Sequence, residues 1–584
     1  MLAEVNKHLP ECLSWVVSCY GAPSNLQFGE TSLSSSTGVK QGDPFASDLF
    51  ALTTQPIVKA VEEQVPDLAA HVWFHDDANA VGDLDQLQVV VDIVRREGAA
   101  RSLNLEPDKS SIWSPSAIEE GNNDPLKRGI PRVKEAGIKI LGAPIGSEEF
   151  VSKFISDKVE KVRATTAALD DLHQPHLEFV LLRSCLALPK IVFLLRSINT
   201  TPHKQILRQF DSITREALSH IIGAPISDQG WEQAKLPIHL GGLGLRAAED
   251  HGGAAYATSL QSSQHLIQTL LHLEEEDHVT LPQSLLDNIA SKVGEEEGIA
   301  AEYFVGRSQK VVSKSIDQQN QNLLIQHVKE QGSEREVARL ASVSLPNSHA
   351  GDWLTVTPNS GLGLLLRAPE FIAALRHRLG HPVFPYDGPC PACGQHSDKF
   401  GDHAMNCAWQ GERIARHNCL RDTLHSTAVA ASLGPTKEGR FLLPGEGGRP
   451  ADIFIPRWAA GKDAALDVTV VNPLQQALVH EAAATPGHAL NVANKRKLDK
   501  SWEQCRRQGI EFIPIAAECL GGWHATAVEQ IKKLGSALAR QTGEEESVTI
   551  HQLFQRLSVS LMRGNAALFN NRSPSEAGGD ILAL

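Results

Sequence analysis

His71-Val-Trp-Phe-His-Asp-Asp-Ala-Asn-Ala-Val81 places β-forming residues on both sides of Asp76 and Asp77, the pattern of a hairpin with an acidic turn. Adjacent carboxylates repel each other unless a cation lies between them. Mg2+ favours such oxygen ligands, and paired ions of this kind hold the attacking and leaving oxygens in phosphoryl transfer. Taken alone, an Asp-Asp pair is more often a solvated turn, so its neighbours carry the argument.

Upstream, Ser36-Thr-Gly-Val-Lys-Gln-Gly-Asp-Pro-Phe-Ala-Ser-Asp-Leu-Phe50 is a glycine-punctuated loop that feeds an apolar run through Ala51, Leu52, Ile57, Val58 and Val61, so it reads as loop then helix. Gly38 and Gly42 would let the backbone approach a nucleotide or template closely, and Gln41 offers a side-chain amide. Downstream lie Leu103-Asn-Leu-Glu-Pro-Asp-Lys109 and Ile140-Leu-Gly-Ala-Pro-Ile-Gly146.

These four segments, in this order, resemble the palm of reverse transcriptases from LINE-type (non-LTR) retrotransposons. The resemblance implies that Gly38, Gln41 and Gly42 position template and nucleotide, and that Asp76 and Asp77 bind catalytic Mg2+ or Mn2+. It further implies that Lys109 approaches the incoming deoxynucleotide and that Leu141 with Gly142 grips the primer. The family's palm begins with another strand, whose aspartate lies in an Asp-x-x-x-Ala-Phe-like motif well before the glycine loop. Only thirty-seven residues precede Gly38, and none of Glu4, Glu11 or Glu30 has a comparable setting. The expectation is a partial palm over residues 1–150, lacking fingers and the first catalytic strand, with polymerisation impaired in the chain as given.

From Val151 to His220 apolar residues recur at helical spacing, with Pro175 and Pro189 as breaks. Ten Lys/Arg against seven Asp/Glu over residues 151–220 give this helical region a basic balance. By position it resembles the family's thumb, taken as 151–255, where Lys153, Lys158, Lys161 and Arg163 would meet phosphates. Trp231-Glu-Gln-Ala-Lys-Leu-Pro237 and Gly241-Gly-Leu-Gly-Leu-Arg246 read as a closely packed glycine-rich loop. Residues 256–375, with acid runs at Glu274 to Asp277 and Glu295 to Glu297 and a Gln-rich stretch from Gln318 to Asn322, read as a connector, part helical and part mobile.

Cys390, Cys393, His403 and Cys407 form C-x2-C-x9-H-x3-C, three thiolates and an imidazole suited to tetrahedral Zn2+. The alternatives are a redox Cys-x-x-Cys pair, which would want a βαβ setting, or incidental thiols, and His396 is a competing nitrogen ligand. A closed four-ligand site is structural, and the module over 376–410 would present Lys399, Arg413 or Arg416 to nucleic acid.

Gly448-Arg-Pro-Ala-Asp-Ile-Phe-Ile-Pro456 and Ala464-Ala-Leu-Asp-Val-Thr-Val-Val471 read as two strands of a hairpin that can bring Asp452 and Asp467 together on Mg2+. A metal held there activates water for phosphodiester hydrolysis while a nearby lysine steadies charge. This resembles the PD-(D/E)xK restriction-like nuclease that follows a CCHC knuckle in one group of LINE-type elements. Arg449-Pro-Ala-Asp452 matches its Pro-Asp element with one residue inserted, and Thr469 stands where the lysine is expected. The resemblance implies that Lys495 or Lys497 supplies it from a neighbouring helix, and that Glu438 is an extra carboxylate from the preceding helix. The nuclease would span 411–535, followed by a C-terminal helix and tail over 536–584.

The 584 residues are 42% hydrophobic and 21% charged, a globular composition of several domains, and the formal charge of −14 argues against a uniformly basic coat but not against local basic stretches. One such stretch is 491–510, with six Lys/Arg against two Asp/Glu. Nine cysteines, three of them clustered, suggest metal ligands in a reducing compartment. The first residues lack a signal-peptide layout, and the apolar run Leu177 to Leu195 is interrupted by Arg183, Pro189 and Lys190, so a nuclear or cytoplasmic location without a membrane is expected.

The whole is thus expected to be a multidomain α+β and α/β protein. By resemblance it is a retrotransposon-derived RNA-directed DNA polymerase fragment with a DNA endonuclease domain, binding RNA template and target DNA and able to nick DNA. The rival reading is a non-catalytic nucleic-acid-binding relic. None of these motifs encodes an oligomeric state.

Overall fold

In the computed structural model, which describes residues 1–115, 129–274, 279–295, 298–439, 443, 451–459 and 461–573, the chain divides into two units. One comprises 1–155 with 260–280, and the other 156–259 with 281–584. The Arg449-Pro450 element, parts of both acidic runs near 275 and 296, and the tail beyond 573 lie outside the described residues. Among the described residues no helix is long and apolar enough to cross a membrane.

The first unit is built from hairpins and amphipathic helices. Strands β1 (Ser24–Phe28) and β2 (Thr31–Ser35), β3 (Ala70–Phe74) and β4 (Asp77–Val81), and β5 (Gly137–Ile140) and β6 (Ala143–Gly146) pair antiparallel. Among the described residues each pair stays a two-stranded sheet. The glycine loop leads into a helix over Ala46–Gln64, whose Ile57 and Val61 are buried. Val61 packs with Val90 and Ile93 of the Leu84–Ala99 helix in a small core that also takes in Trp73 and Ala80 of the β3–β4 hairpin. Elsewhere the strands keep apolar side chains in solvent, Phe28 at 80% exposure and Phe74 at 59%.

The second unit is organised around one large core. Leu182, Leu218 and Ile222 from the helical region before residue 223, Trp353 and Phe371, and Leu420, Ile453, Ile515, Trp523, Phe554 and Leu557 from the last third all belong to one apolar cluster. Burial of each such side chain contributes about 1.5–3 kcal/mol. Residues 281–375, the larger part of the connector expected to be part helical and part mobile, therefore lie inside this unit. The polar helix Gln309–Gln331 is held by specific bonds: Asp317 accepts from Arg246 and pairs with His251 at 3.4 Å, and Gln321 donates to the Leu240 carbonyl.

Within this unit, β7 (Gly388–Pro389) and β8 (His396–Ser397) form a short hairpin, followed by a helix over Asp402–Asn406. A helix over Glu412–Ala430 precedes a four-stranded sheet of β9 (Thr436–Lys437), β10 (Ile453–Ala459), β11 (Lys462–Val471) and β12 (Ile510–Glu518), in the order β12-β11-β10-β9. The β9-β10-β11 pairings are antiparallel. The β11–β12 pairing is parallel and is bridged by a crossover that contains the helix His488–Arg507. Helices over Ala525–Thr542 and Glu546–Asn570 close the unit.

Candidate functional site

The antiparallel register pairs Ile453 with Leu466, and the Asp452 N–H donates to the Leu466 carbonyl at 3.0 Å, so Asp452 and Asp467 face each other across β10 and β11. Cross-strand neighbours have Cβ atoms about 5 Å apart, close enough for the two carboxyls to share a hydrogen bond. From the crossover helix, Lys497 Nζ reaches Asp467 Oδ2 at 2.8 Å. Of the two lysines expected as candidates, Lys497 is therefore the one that meets the pair, while Lys495 is exposed. Thr469 is buried two positions along β11, on the same side as Asp467.

Asp452 Oδ2 also accepts from the Val468 N–H at 2.7 Å and lies 2.9 Å from His417 Nε2. That nitrogen is 3.1 Å from the Val468 carbonyl as well. A carbonyl only accepts, so Nε2 carries the proton and donates to both oxygens. Burial would raise Asp452, but the His417 hydrogen bond and charge outweigh it and hold its carboxyl below the ordinary range. Burial and the Asp452 charge push Asp467 the other way, up to about 6, against the pull of Lys497. Two facing carboxyls at such close range repel when both are ionised, which drives their affinities for protons apart.

Glu438 does not come from the preceding helix. It follows β9 with φ of 48°, pairs with Arg421 at 2.6 Å, and gives its backbone N–H to the Asp452 carbonyl. Its backbone thus braces the Asp452 strand. At the far end of β12, Glu518 is fully buried and accepts from the Ser342 hydroxyl, and burial pushes its carboxyl up to about 7.

The Cys390, Cys393, His403 and Cys407 ligand atoms all lie within 4.8 Å of one another. Gly394, at φ of 73°, lets its N–H return to the Cys390 carbonyl at 2.8 Å, which folds the Cys-x2-Cys turn. The Asp398 carboxylate accepts the N–H groups of Phe400, Asp402 and His403 at 2.8–3.0 Å, fixing the start of the His403 helix. His396 sits in β8 opposite Pro389 and is not one of the four. Burial lowers His403, which keeps the imidazole in its neutral, ligating form. Burial would raise the Cys407 thiol, but the Trp409 N–H and the Arg572 guanidinium hold it below its ordinary value. This set of donors suits a structural zinc ion with no open position. Arg416, expected to face nucleic acid, is instead buried and donates to Asn565 at 2.7 Å, while Arg413 bonds the Asn406 carbonyl.

In the first unit, Phe74 pairs with Asp77, leaving His75, at φ of 56°, and Asp76 as a two-residue turn. Both aspartates are exposed, and among the described residues neither carboxylate makes a hydrogen bond or ion pair. Gly38 and Gly42 have φ of 80° and 90°, and Gln41 is exposed between them. This loop is tied down by Tyr20 donating to Asp43 and by Lys40 Nζ donating to the Cys19 carbonyl at 2.9 Å. Lys109 ends a short 3-10 turn, Pro107–Lys109. Leu141 and Gly142 form the β5–β6 turn with φ of 47° and 90°, the type I′ pattern that matches strand twist. Strand pairing keeps each of these motifs on its own element.

Sequence reasoning passed over His417. The signal was its place three and seven residues before the buried Leu420 and Leu424, on the helix stripe that faces the sheet.

No known family's sequence model matches the chain. It is 24% identical over 219 residues to the Retrotransposable element SLACS 132 kDa protein of Trypanosoma brucei gambiense, a match covering 36% of this chain and 17% of that relative. The similarity supports a retrotransposon origin. The match spans only a small part of that much longer retroelement protein.

Proposed function

We propose that this chain is a retrotransposon-derived nucleic-acid-processing protein whose Asp452–Asp467 pair hydrolyses DNA phosphodiester bonds with a divalent metal. Its first unit is a partial reverse-transcriptase palm and the following helices a thumb. The observation that carries the reading is the convergence of Asp452, Asp467 and Lys497 from two strands and a crossover helix, with Lys497 Nζ 2.8 Å from Asp467.

The donor set fits Mg2+ or Mn2+: two facing carboxyls, one with its proton affinity driven up to about 6 by burial and, to a lesser degree, by the neighbouring Asp452 charge. When bound, such an ion supplies Lewis-acid polarisation of the phosphodiester and an ionised water. Asp452 and Asp467 would hold it. His417 and the Val468 N–H fix the orientation of Asp452. Lys497 orients Asp467 and adds an ammonium where a phosphoryl group gathers negative charge. The Cys390, Cys393, His403 and Cys407 set would hold zinc as a structural ion.

The test is nicking of supercoiled plasmid by the purified chain with Mg2+ or Mn2+, beside Asp452→Ala/Asp467→Ala. Nicking by the parent alone is expected. A parent that binds DNA and zinc yet never nicks is the outcome of the rival reading, a non-catalytic binding relic. Two observations favour that rival: both carboxylates already have cationic partners, and Thr469 occupies the lysine position.

A further inference from the structure

The helix His488–Arg507 presents its inner side to the sheet through Leu490, Ala493, Lys497, Ser501 and Cys505. At about 100° per residue, Arg496 and Lys500 fall together on one flank of the stripe that delivers Lys497. Both are exposed, and among the described residues neither makes an ion pair or hydrogen bond. Arg507 continues the flank about two turns beyond Lys500, paired with Glu503 at 3.2 Å. Residues 491–510 hold six Lys/Arg against two Asp/Glu in a chain of formal charge −14.

The geometry points to this flank, Arg496 and Lys500 first, as a docking surface for the phosphate backbone of duplex DNA beside the Asp452–Asp467 pair. A 1.5 Å rise per residue sets Arg496 and Lys500 about 6 Å apart along the axis, so the two cations follow a strand rather than meet at one point. Free guanidinium and ammonium groups on a ridge suit the polyanion, and their counterion release makes binding salt-dependent. Glu503, seven residues after Arg496 on the same flank, pairs with Arg506 and Arg507 and so ends the stretch of free cations at Lys500, while Asp499 lies on the outer face. The choice of DNA as the polyanion rests on the nuclease reading above, whereas the existence of the surface does not.

The test is equilibrium binding of a fluorescein-labelled 30-base-pair DNA duplex to the full chain, without added divalent metal, over a series of NaCl concentrations. The variant is Arg496→Ala/Lys500→Ala, with Arg496→Lys/Lys500→Arg as the charge-preserving control. Loss of two phosphate contacts should make the slope of log K against log salt shallower by about 1.8, and affinity near 0.1 M salt should fall on the order of tenfold. The control should keep the parent's slope. An alanine variant with the parent's affinity and slope overturns the proposal, as does a loss seen only with an RNA duplex of the same length. Because no cleavage is measured, a parent that fails to nick leaves this result readable and sinks only the nuclease assignment.

Discussion

Two acidic pairs, one in each unit, show what turns carboxylates into a site. Asp76 and Asp77 are neighbours in sequence, yet one occupies a turn and the other starts a strand, and both stand in solvent. Asp452 and Asp467 are separated by fourteen residues, and antiparallel register makes them face each other. Successive strand residues point to opposite faces while cross-strand partners share one. Adjacency in sequence therefore did less to bring carboxyls together than a hairpin did. The second pair is also half-buried, so water screens its charge less and His417 and Lys497 supply part of that compensation. Glu518 is a third case, a carboxyl buried with only a hydroxyl donor.

The sharpest contrast lies in chemistry. Asp452→Ala/Asp467→Ala should lower plasmid nicking by at least about 100-fold, the scale lost with a principal electrostatic element of a site. Asp76→Ala/Asp77→Ala should leave nicking unchanged, and equal losses in both would break the comparison.

Next in size is Glu518→Gln. The folded carboxyl titrates near 7, above its ordinary 4.5. The native state therefore holds a proton that the unfolded chain gives up, so this group's contribution is fully present below pH 4.5 and lost as pH rises through about 7. Removing the charge should make the variant more stable than the parent at pH 8 by about 3 kcal/mol, with little difference at pH 4.5. Urea unfolding at the two pH values checks this, and a parallel offset at both would contradict it.

Lys497→Met should cost about 2 kcal/mol at pH 8, where Asp467 is ionised and loses its partner. At pH 5 the carboxyl, titrating near 6, is largely protonated and the loss should shrink. A pH-independent loss would mean that the lysine matters for packing and not for charge.

The smallest effect is expected at the exposed pair. Asp76→Ala/Asp77→Ala should shift the unfolding free energy by no more than about 0.5 kcal/mol. A larger shift in thermal unfolding would reveal a partner for these carboxylates.

Much of this was legible before any coordinates. Alternation of apolar residues and turn chemistry marked the β3–β4 and β10–β11 hairpins, and Cys/His spacing marked the four-residue cluster that closes within 4.8 Å. The choice of Lys497 over Lys495 was not legible, because it depends on how the helix is rotated against β11. That the helix Gln309–Gln331 packs into the unit was not legible, because its buried positions include Asp317 and Gln321, polar residues that pair with groups far away in sequence. Arg416 was misread for the same reason: a charge in a helix pattern suggests solvent until Asn565, 149 positions later, is seen to receive it. Whether the three hairpins of the first unit would join one sheet depends on long-range pairing that local pattern does not encode.

The zinc-type cluster is sealed by residues at and just past the end of the helix Glu546–Asn570. Arg572, fully buried, donates to the Trp409 carbonyl and to Glu412 at 2.7 Å, while Phe569 closes on Gly401. During synthesis the four ligands leave the ribosome more than 150 residues before the arginine that seals them. A nascent chain must therefore carry its cysteines unsealed until Arg572 is made. A nonsense codon between those for Cys407 and Arg572 would spare every ligand and still leave the cluster without its seal.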